Sequence, residues 1–149
     1  MIDRATHRTV VMHRFTRDLK AGVEWNVRAN EVGLVANWRA LAETERRPAL
    51  MFGTSSDRIG TPSGQSYYAT VSKSFSRVAP YAGVSWSGYE ERLLVPFGVN
   101  VALAEGWSAM LINDGVHTHL STTYGLRNVS LTLLAVERKH VGVTVGMTF

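Results

Sequence analysis

Residues 141–149 read Val141-Gly142-Val143-Thr144-Val145-Gly146-Met147-Thr148-Phe149. Val141, Val143, Val145, Met147 and Phe149 fall on one side of a period-two pattern. Gly142, Thr144, Gly146 and Thr148 fall on the other. A strand sends alternate side chains to opposite faces, so this stretch has one apolar and one small-polar face; a helix would mix the two sets.

The same alternation recurs back along the chain. It marks about eleven strands, at roughly 5–15, 21–29, 33–42, 48–54, 65–75, 79–88, 93–104, 107–113, 116–126, 128–137 and 140–149. Val32 to Glu45, rich in Ala, Leu and Glu, is the best helical candidate, yet Leu34 to Trp38 also alternate strictly. Most gaps carry turn chemistry, and Asn113-Asp114-Gly115 is the clearest because these residues tolerate positive φ. Strands this close in sequence pair as antiparallel neighbours, which gives an up-and-down meander.

Composition narrows the reading. The chain has 149 residues, a formal charge of +4, 45% apolar and 19% charged residues, and no cysteine. That charged share is below the usual value of about 25%. Disorder, a disulfide scaffold and a cysteine–zinc scaffold are excluded. No stretch approaches the ~20 apolar residues of a spanning helix. The first fifteen residues hold no secretory signal, since their longest apolar run is Val10-Val11-Met12.

Two faces emerge. The apolar one carries Val23, Trp25, Val27, Leu34, Trp38, Val84, Trp86, Phe97, Leu120, Tyr124, Leu131, Leu133 and the 141–149 set. The other carries Glu24, Asn26, Arg28, Asn37, Arg39, Gly83, Ser85, Ser87, Asn100, His117, His119, Ser121 and Thr132. A soluble barrel or sandwich binding a small apolar ligand would turn the apolar face inward. A membrane barrel would turn it outward to lipid. Three features favour the second. The polar face is rich in small residues, charges collect in turns, and aromatics such as Phe15, Trp25, Phe75, Trp107 and Tyr124 sit near strand ends. We therefore expect an all-β, antiparallel up-and-down transmembrane β-barrel of about 10–12 strands, forming a single domain over 1–149.

The terminal strand ending at Phe149 resembles the last strand of Gram-negative outer-membrane β-barrels, which end in an aromatic residue after alternating apolar positions. The segments Trp38-Arg39-Ala40-Leu41 and Arg47-Pro48-Ala49-Leu50 are also similar to bacterial outer-membrane barrels, including those linked to exopolysaccharide export. The resemblance implies an outer-membrane location and outer-membrane lipid as surroundings. It implies that Val143, Val145, Met147 and Phe149 form a signal read by the barrel-assembly machinery. It further implies a structural or transport role with no enzymatic activity and no cofactor, and leaves any export or polysaccharide partner unnamed.

Strand parity adds an expectation. With Phe149 in the periplasm, the loop Ser55–Gly64 falls on the extracellular side, as longer loops do, and the first strand begins outside. Single-chain bacterial barrels have even strand numbers. Eleven is odd: the count is off by one, the first segment lies outside the barrel, or an upstream strand exists together with a signal peptide, and the last is favoured because it also accounts for the absent signal.

Candidate chemistry concentrates on the polar face. Glu24, Arg28 and Arg39 are expected to form a lumen charge cluster, either a salt-bridged plug or a selectivity ring. His117, His119 and Ser121, with Asn100, are expected to line the lumen in hydrogen-bond networks. The alternative is a lipid hydrolase: His119-x-Ser121 is similar to the His–Ser pair of outer-membrane phospholipases and lipid A deacylases, where His activates Ser. Against it, the pair would face the lumen, and Leu133 occupies the place of the third residue, so Asn100 or Glu137 would have to serve. A metal site of His117 and His119 with Asp114 is weak for want of a clear third ligand. The loop SSDRIGTPSG lacks phosphate-loop spacing and reads as an ordinary outer loop or surface contact. The Arg residues are scattered over turns with no recognition helix, so no nucleic-acid partner is expected.

Overall fold

The computed structural model describes residues 7–136 and 140–148. Phe149 and Glu137–Lys139 lie outside the described residues, and with them the terminal aromatic and one candidate third residue for the His–Ser pair.

Among the described residues twelve strands form one antiparallel sheet. They are β1 (Arg8–Arg14), β2 (Leu19–Asn26), β3 (Glu31–Leu41), β4 (Ala49–Ser56), β5 (Gln65–Ser72), β6 (Val78–Ser87), β7 (Arg92–Leu94), β8 (Phe97–Ala104), β9 (Trp107–Asn113), β10 (Thr118–Leu126), β11 (Val129–Val136) and β12 (His140–Met147). The candidate helix at Val32–Glu45 is strand β3 and the turn after it. Its Leu34–Trp38 alternation wins over helix propensity because neighbours on both sides pair with it.

The strands follow chain order with one break. Ser85–Ser87 of β6 pair with β7, and Val78–Ala82 of the same strand pair with β8. The two short strands are one rung interrupted at Val95-Pro96. Pro96 has no N–H to give the ladder, and only its carbonyl bonds, to Gly83 N at 2.9 Å. Twelve strands thus occupy eleven positions, and the sequence segment 93–104 is the divided one.

The expected meander is present, but the sheet is not closed. Among the described residues β1 pairs only with β2, and β12 only with β11. The physical reason lies in direction. Arg8 stands opposite Asn26 and His140 opposite Val136, so β1 and β12 both start at the same end. Direct closure would need a parallel seam in an antiparallel sheet.

The sheet nevertheless curls strongly. Arg8 on β1 reaches across the concave face to Ser56 Oγ at 2.6 Å, three strand positions away. Arg8, Tyr68, Tyr81, Ile112 and Asp114 line one cavity of about 370 Å³. Concave glycines permit the curvature. Tyr81 lies over Gly98 and Tyr68 over Gly53, each pair directly opposed across adjacent strands.

The decisive feature is which face points in. Four buried residues among those described are apolar (Val35, Ala49, Leu94, Val136), while nine are polar or charged. The apolar rows lie on the convex face and are exposed: Leu34 67%, Trp38 53%, Val141 79%. A compact soluble chain of 16.5 kDa would show about 7,600 Å² of surface; this one shows 10314 Å². Soluble monomers rarely expose apolar patches above roughly 300–600 Å². The hydrophobic effect in water does not favour this arrangement. Its interior is instead held by ladder bonds and polar pairing. No described helix is long and apolar enough to cross a membrane.

Candidate functional site

The site lies at one end of the curled sheet. Among the described residues four connections meet there: 27–30, 57–64, 88–91 and 114–117. The loop between β4 and β5 does not project outward as an ordinary outer loop. It folds back over the concave mouth, and Thr61 within it is 1% exposed.

Local chemistry shapes the loop. Asp57 N donates to Gly64 O at 3.0 Å, and Thr61 N and Oγ1 both donate to Arg58 O. Gly60 and Gly64 sit at φ 90 and 105, values that favour glycine. The folded loop is then tied to four elements. Arg8 of β1 donates to Thr61 O at 3.2 Å and Asn26 of β2 to Pro62 O at 2.9 Å. Gly64 N donates to Glu31 at the start of β3, at 3.3 Å. The 88–91 hairpin is held by Asp57 and Arg58.

Asp57 is 4% exposed and accepts from three donors. These are Ser87 Oγ at 2.9 Å, Tyr89 N at 2.9 Å and Arg58 N at 2.7 Å. A buried carboxylate needs such donors, since an unpartnered charge costs several kcal/mol. Arg58 Nε bonds Glu90 at 2.6 Å, and Arg92 bonds the other Glu90 oxygen at 2.7 Å. The hydrogen bond from Arg58 is the main cause holding the Glu90 carboxyl below its ordinary range, with Arg92 adding to it and burial opposing.

The second cluster is in the 114–117 turn. Asp114 Oδ1 accepts from Val116 N at 2.9 Å and His117 N at 2.8 Å. Its Oδ2 meets His119 Nε2 at 3.0 Å. Burial pushes the Asp114 carboxyl up. The His117 N–H, the His119 ring and the Val116 N–H together outweigh it and hold the carboxyl below its ordinary range. His119 is 1% exposed, and its Nδ1 is buried with no hydrogen-bond partner.

The sequence candidates are therefore sorted differently from expectation. Glu24, Arg28 and Arg39 do not form one lumen cluster. Glu24 is buried at the loop end beside Arg8 Nε at 3.6 Å. Arg28 lies in the exposed turn after β2. Arg39 is at the opposite end, on Asp18 Oδ1 at 2.6 Å. An eleven-residue strand separates its own two ends, so shared face did not mean proximity.

His119 and Ser121 do share the concave face and are both buried, but no hydrogen bond joins them. The oriented pair is Asp114–His119, and Ser121 stands outside it. Nucleophilic activation needs Ser and His within about 2.6–3.2 Å. Asn100 is level with Met110 and Ser121 on the concave face, yet exposed, and serves no third role. His117 precedes β10, and its backbone caps Asp114. Among the described residues no group of three His, Cys, Asp or Glu is placed to hold a metal. Val143, Val145 and Met147 are exposed on the convex side of β12.

Sequence reasoning missed Arg8, Asp57, Arg58, Thr61, Ser87 and Glu90. The only signal was an Asp-Arg pair and two glycines within a Ser/Thr/Pro loop. No family model, curated protein or solved structure matches the chain.

Proposed function

We propose that the chain is a lipid-embedded β-sheet protein of the outer-membrane barrel type, with its convex face in the bilayer core. Its role is structural or transport-like, and the folded 57–64 loop plugs the mouth at one end. The carrying observation is the inversion of polarity: apolar rows outside, Glu24, Asn26, Ser66, Ser87, His119 and Ser121 inside.

Supporting features agree with it. β3, β6 and β10 run 11, 10 and 9 residues, the length of a tilted spanning strand at about 9–11, and the other full strands run 7 or 8. Trp25 and Trp86 lie toward the loop end, and Trp38 and Trp107 toward the other. Amphipathic rings favour both interfaces of a bilayer. Trp38 packs on Phe52 and Trp107 on Tyr124, with ring centroids 5.8 and 4.8 Å apart. Two exposed edges would be costly in lipid, so closure or strand addition across β1 and β12 belongs to the reading. The barrel-assembly machinery would read the β12 strand through its exposed valines.

Tryptophan quenching tests this. All four tryptophans are convex and 44–53% exposed. Protein folded into vesicles of brominated lipid should lose most of its tryptophan emission. Full emission in those vesicles, together with a folded, monodisperse protein in detergent-free buffer, would remove the proposal.

A further inference from the structure

At the end opposite the loop, the concave face opens into a space of about 560 Å³ lined by Arg14, Arg17, Lys20 and Arg39, with Asp18 and Asn37. We propose that this is a binding vestibule for solutes carrying two or more phosphate, sulfate or carboxylate groups.

Three observations carry it. First, Arg14 and Lys20 stand directly opposite each other across β1 and β2. Like charges in that relation repel and destabilise the pairing. Second, the counter-charge is already spent elsewhere. Asp18 holds Arg39 through both Nε and Nη2, at 2.7 and 2.6 Å. Arg14, Arg17 and Lys20 make no ion pair among the described residues. Asn37 accepts from the Tyr68 hydroxyl, which leaves its amide N–H groups as donors toward the space. Third, charge is polarised along the strands. Among the described residues this end carries nine Lys/Arg and four Asp/Glu, and the plugged end four and six. Such a field draws anions to the basic mouth.

Size and chemistry define the ligand class. A pocket of roughly 300–1,000 Å³ suits a mid-sized solute rather than a single ion. Guanidinium forks grip phosphate, sulfate or carboxylate oxygens in pairs, and Lys20 adds a point charge. Three unneutralised cations on one rim favour multivalent over monovalent anions. The vestibule stands on concave-face geometry and does not depend on lipid around the convex face.

The test uses the full chain, folded in zwitterionic micelles or in buffer, whichever keeps it folded. Pyranine, a trisulfonated dye, is the probe by fluorescence anisotropy, with tripolyphosphate as competitor. Expected are saturable binding, displacement by tripolyphosphate, and at least tenfold weakening between low and moderate salt, as exposed charges are screened. Arg14→Gln with Lys20→Gln should weaken binding at least tenfold. Arg46→Gln with Arg47→Gln, cations of the same end outside the vestibule, should change it less than twofold. Removing one of two opposed cations should leave the unfolding midpoint unchanged or raised, so Lys20→Gln alone serves if the double variant fails to fold. Absence of saturable binding by folded protein, or equal loss in the Arg46/Arg47 variant, would overturn the proposal. So would full retention in the Arg14/Lys20 variant.

Discussion

Asp114 Oδ2 lies 3.0 Å from His119 Nε2, and the imidazole it holds is sealed from solvent. The same carboxylate caps two backbone N–H groups of its own turn. One residue thereby closes the β9–β10 connection and fixes the tautomer and direction of a buried ring. This is a positioning arrangement without a nucleophile, since Ser121 does not join it.

Replacing Asp114 with Ala removes three acceptor contacts at once. The His119 ring would stay buried with neither nitrogen partnered. Each buried donor left unmatched costs about 1–3 kcal/mol. The expected outcome is a clear fall in the urea midpoint of the folded protein. Asp114→Asn, which keeps an acceptor oxygen, should recover part of it. Ser121→Ala should cost much less, and should leave any lipid hydrolysis unchanged.

Acid should loosen the loop end first. The Asp114 and Glu90 carboxyls are both held below their ordinary values of 3.8 and 4.5. A group with a depressed folded pKa stabilises the fold above its unfolded pKa, and loses that stabilisation as pH falls through the folded value. The Glu90 side chain is only 17% exposed between Arg58 and Arg92, so it contributes to the acid limb beside Asp114. Stability should be flat from neutral pH to about pH 5 and fall below the ordinary carboxylate range. Protease cleavage within 57–64, followed against pH, checks it. Glu90→Gln should flatten the acid limb, because Arg58 would lose its charged partner at every pH.

Much of this architecture was legible in the sequence, because period-two alternation encodes faces directly. Val141, Val143 and Val145 declare a strand, and the turn residues Asn113–Gly115 declare the reversal between β9 and β10. Alternation also says which residues share a face, as it did for His119 and Ser121. It does not say which face points inward, because the pattern is the same for both curvatures. It carries no information on height along a strand, so Glu24 and Arg39 read as one cluster in the sequence and the structure parts them. Nor does it reach loop partners. Asp57 finds Ser87 thirty residues on, through a fold-back that no local signal specifies.

The concave glycines should be intolerant of a single methyl. A Cβ on Gly98 would lie 2.7 Å from the Tyr81 ring and closer still to the Leu111 carbonyl. Gly53 is blocked similarly by Tyr68 and the Ala36 carbonyl. Overpacking of this kind costs about 1–3 kcal/mol, and more where backbone must move. Gly98→Ala and Gly53→Ala should both lower the thermal midpoint by several degrees. Gly125→Ala, whose nearest neighbour is 4.0 Å away, should be neutral.

The loop should act as the obstruction at its end. It is tied to Arg8, Asn26, Glu31 and the 88–91 hairpin. Replacing residues 58–63 with a short Gly-Ser linker removes the Arg58 and Thr61 ties together. In planar bilayers the altered protein should give current steps that the full chain lacks. Equal, silent traces from both would place the obstruction elsewhere on the concave face.

The two edges of the sheet should exchange faster than its middle. Each inner rung is bonded on both sides, while β1 and β12 each lack one neighbour among the described residues. Their common direction makes direct antiparallel pairing between them impossible. Two copies lying the same way up in a membrane meet the same obstacle, since every free edge then runs in one direction. Half the amides of Arg8–Arg14 and of His140–Met147 therefore face outward from the ladder. Hydrogen exchange in micelles should show alternate amides of β1 and β12 exchanging far faster than those of β5 or β10. Uniform protection across all rungs would mean that the edges meet in a parallel seam. Addition of a peptide strand running opposite to both edges should slow the fast set, and leave β5 and β10 as they were.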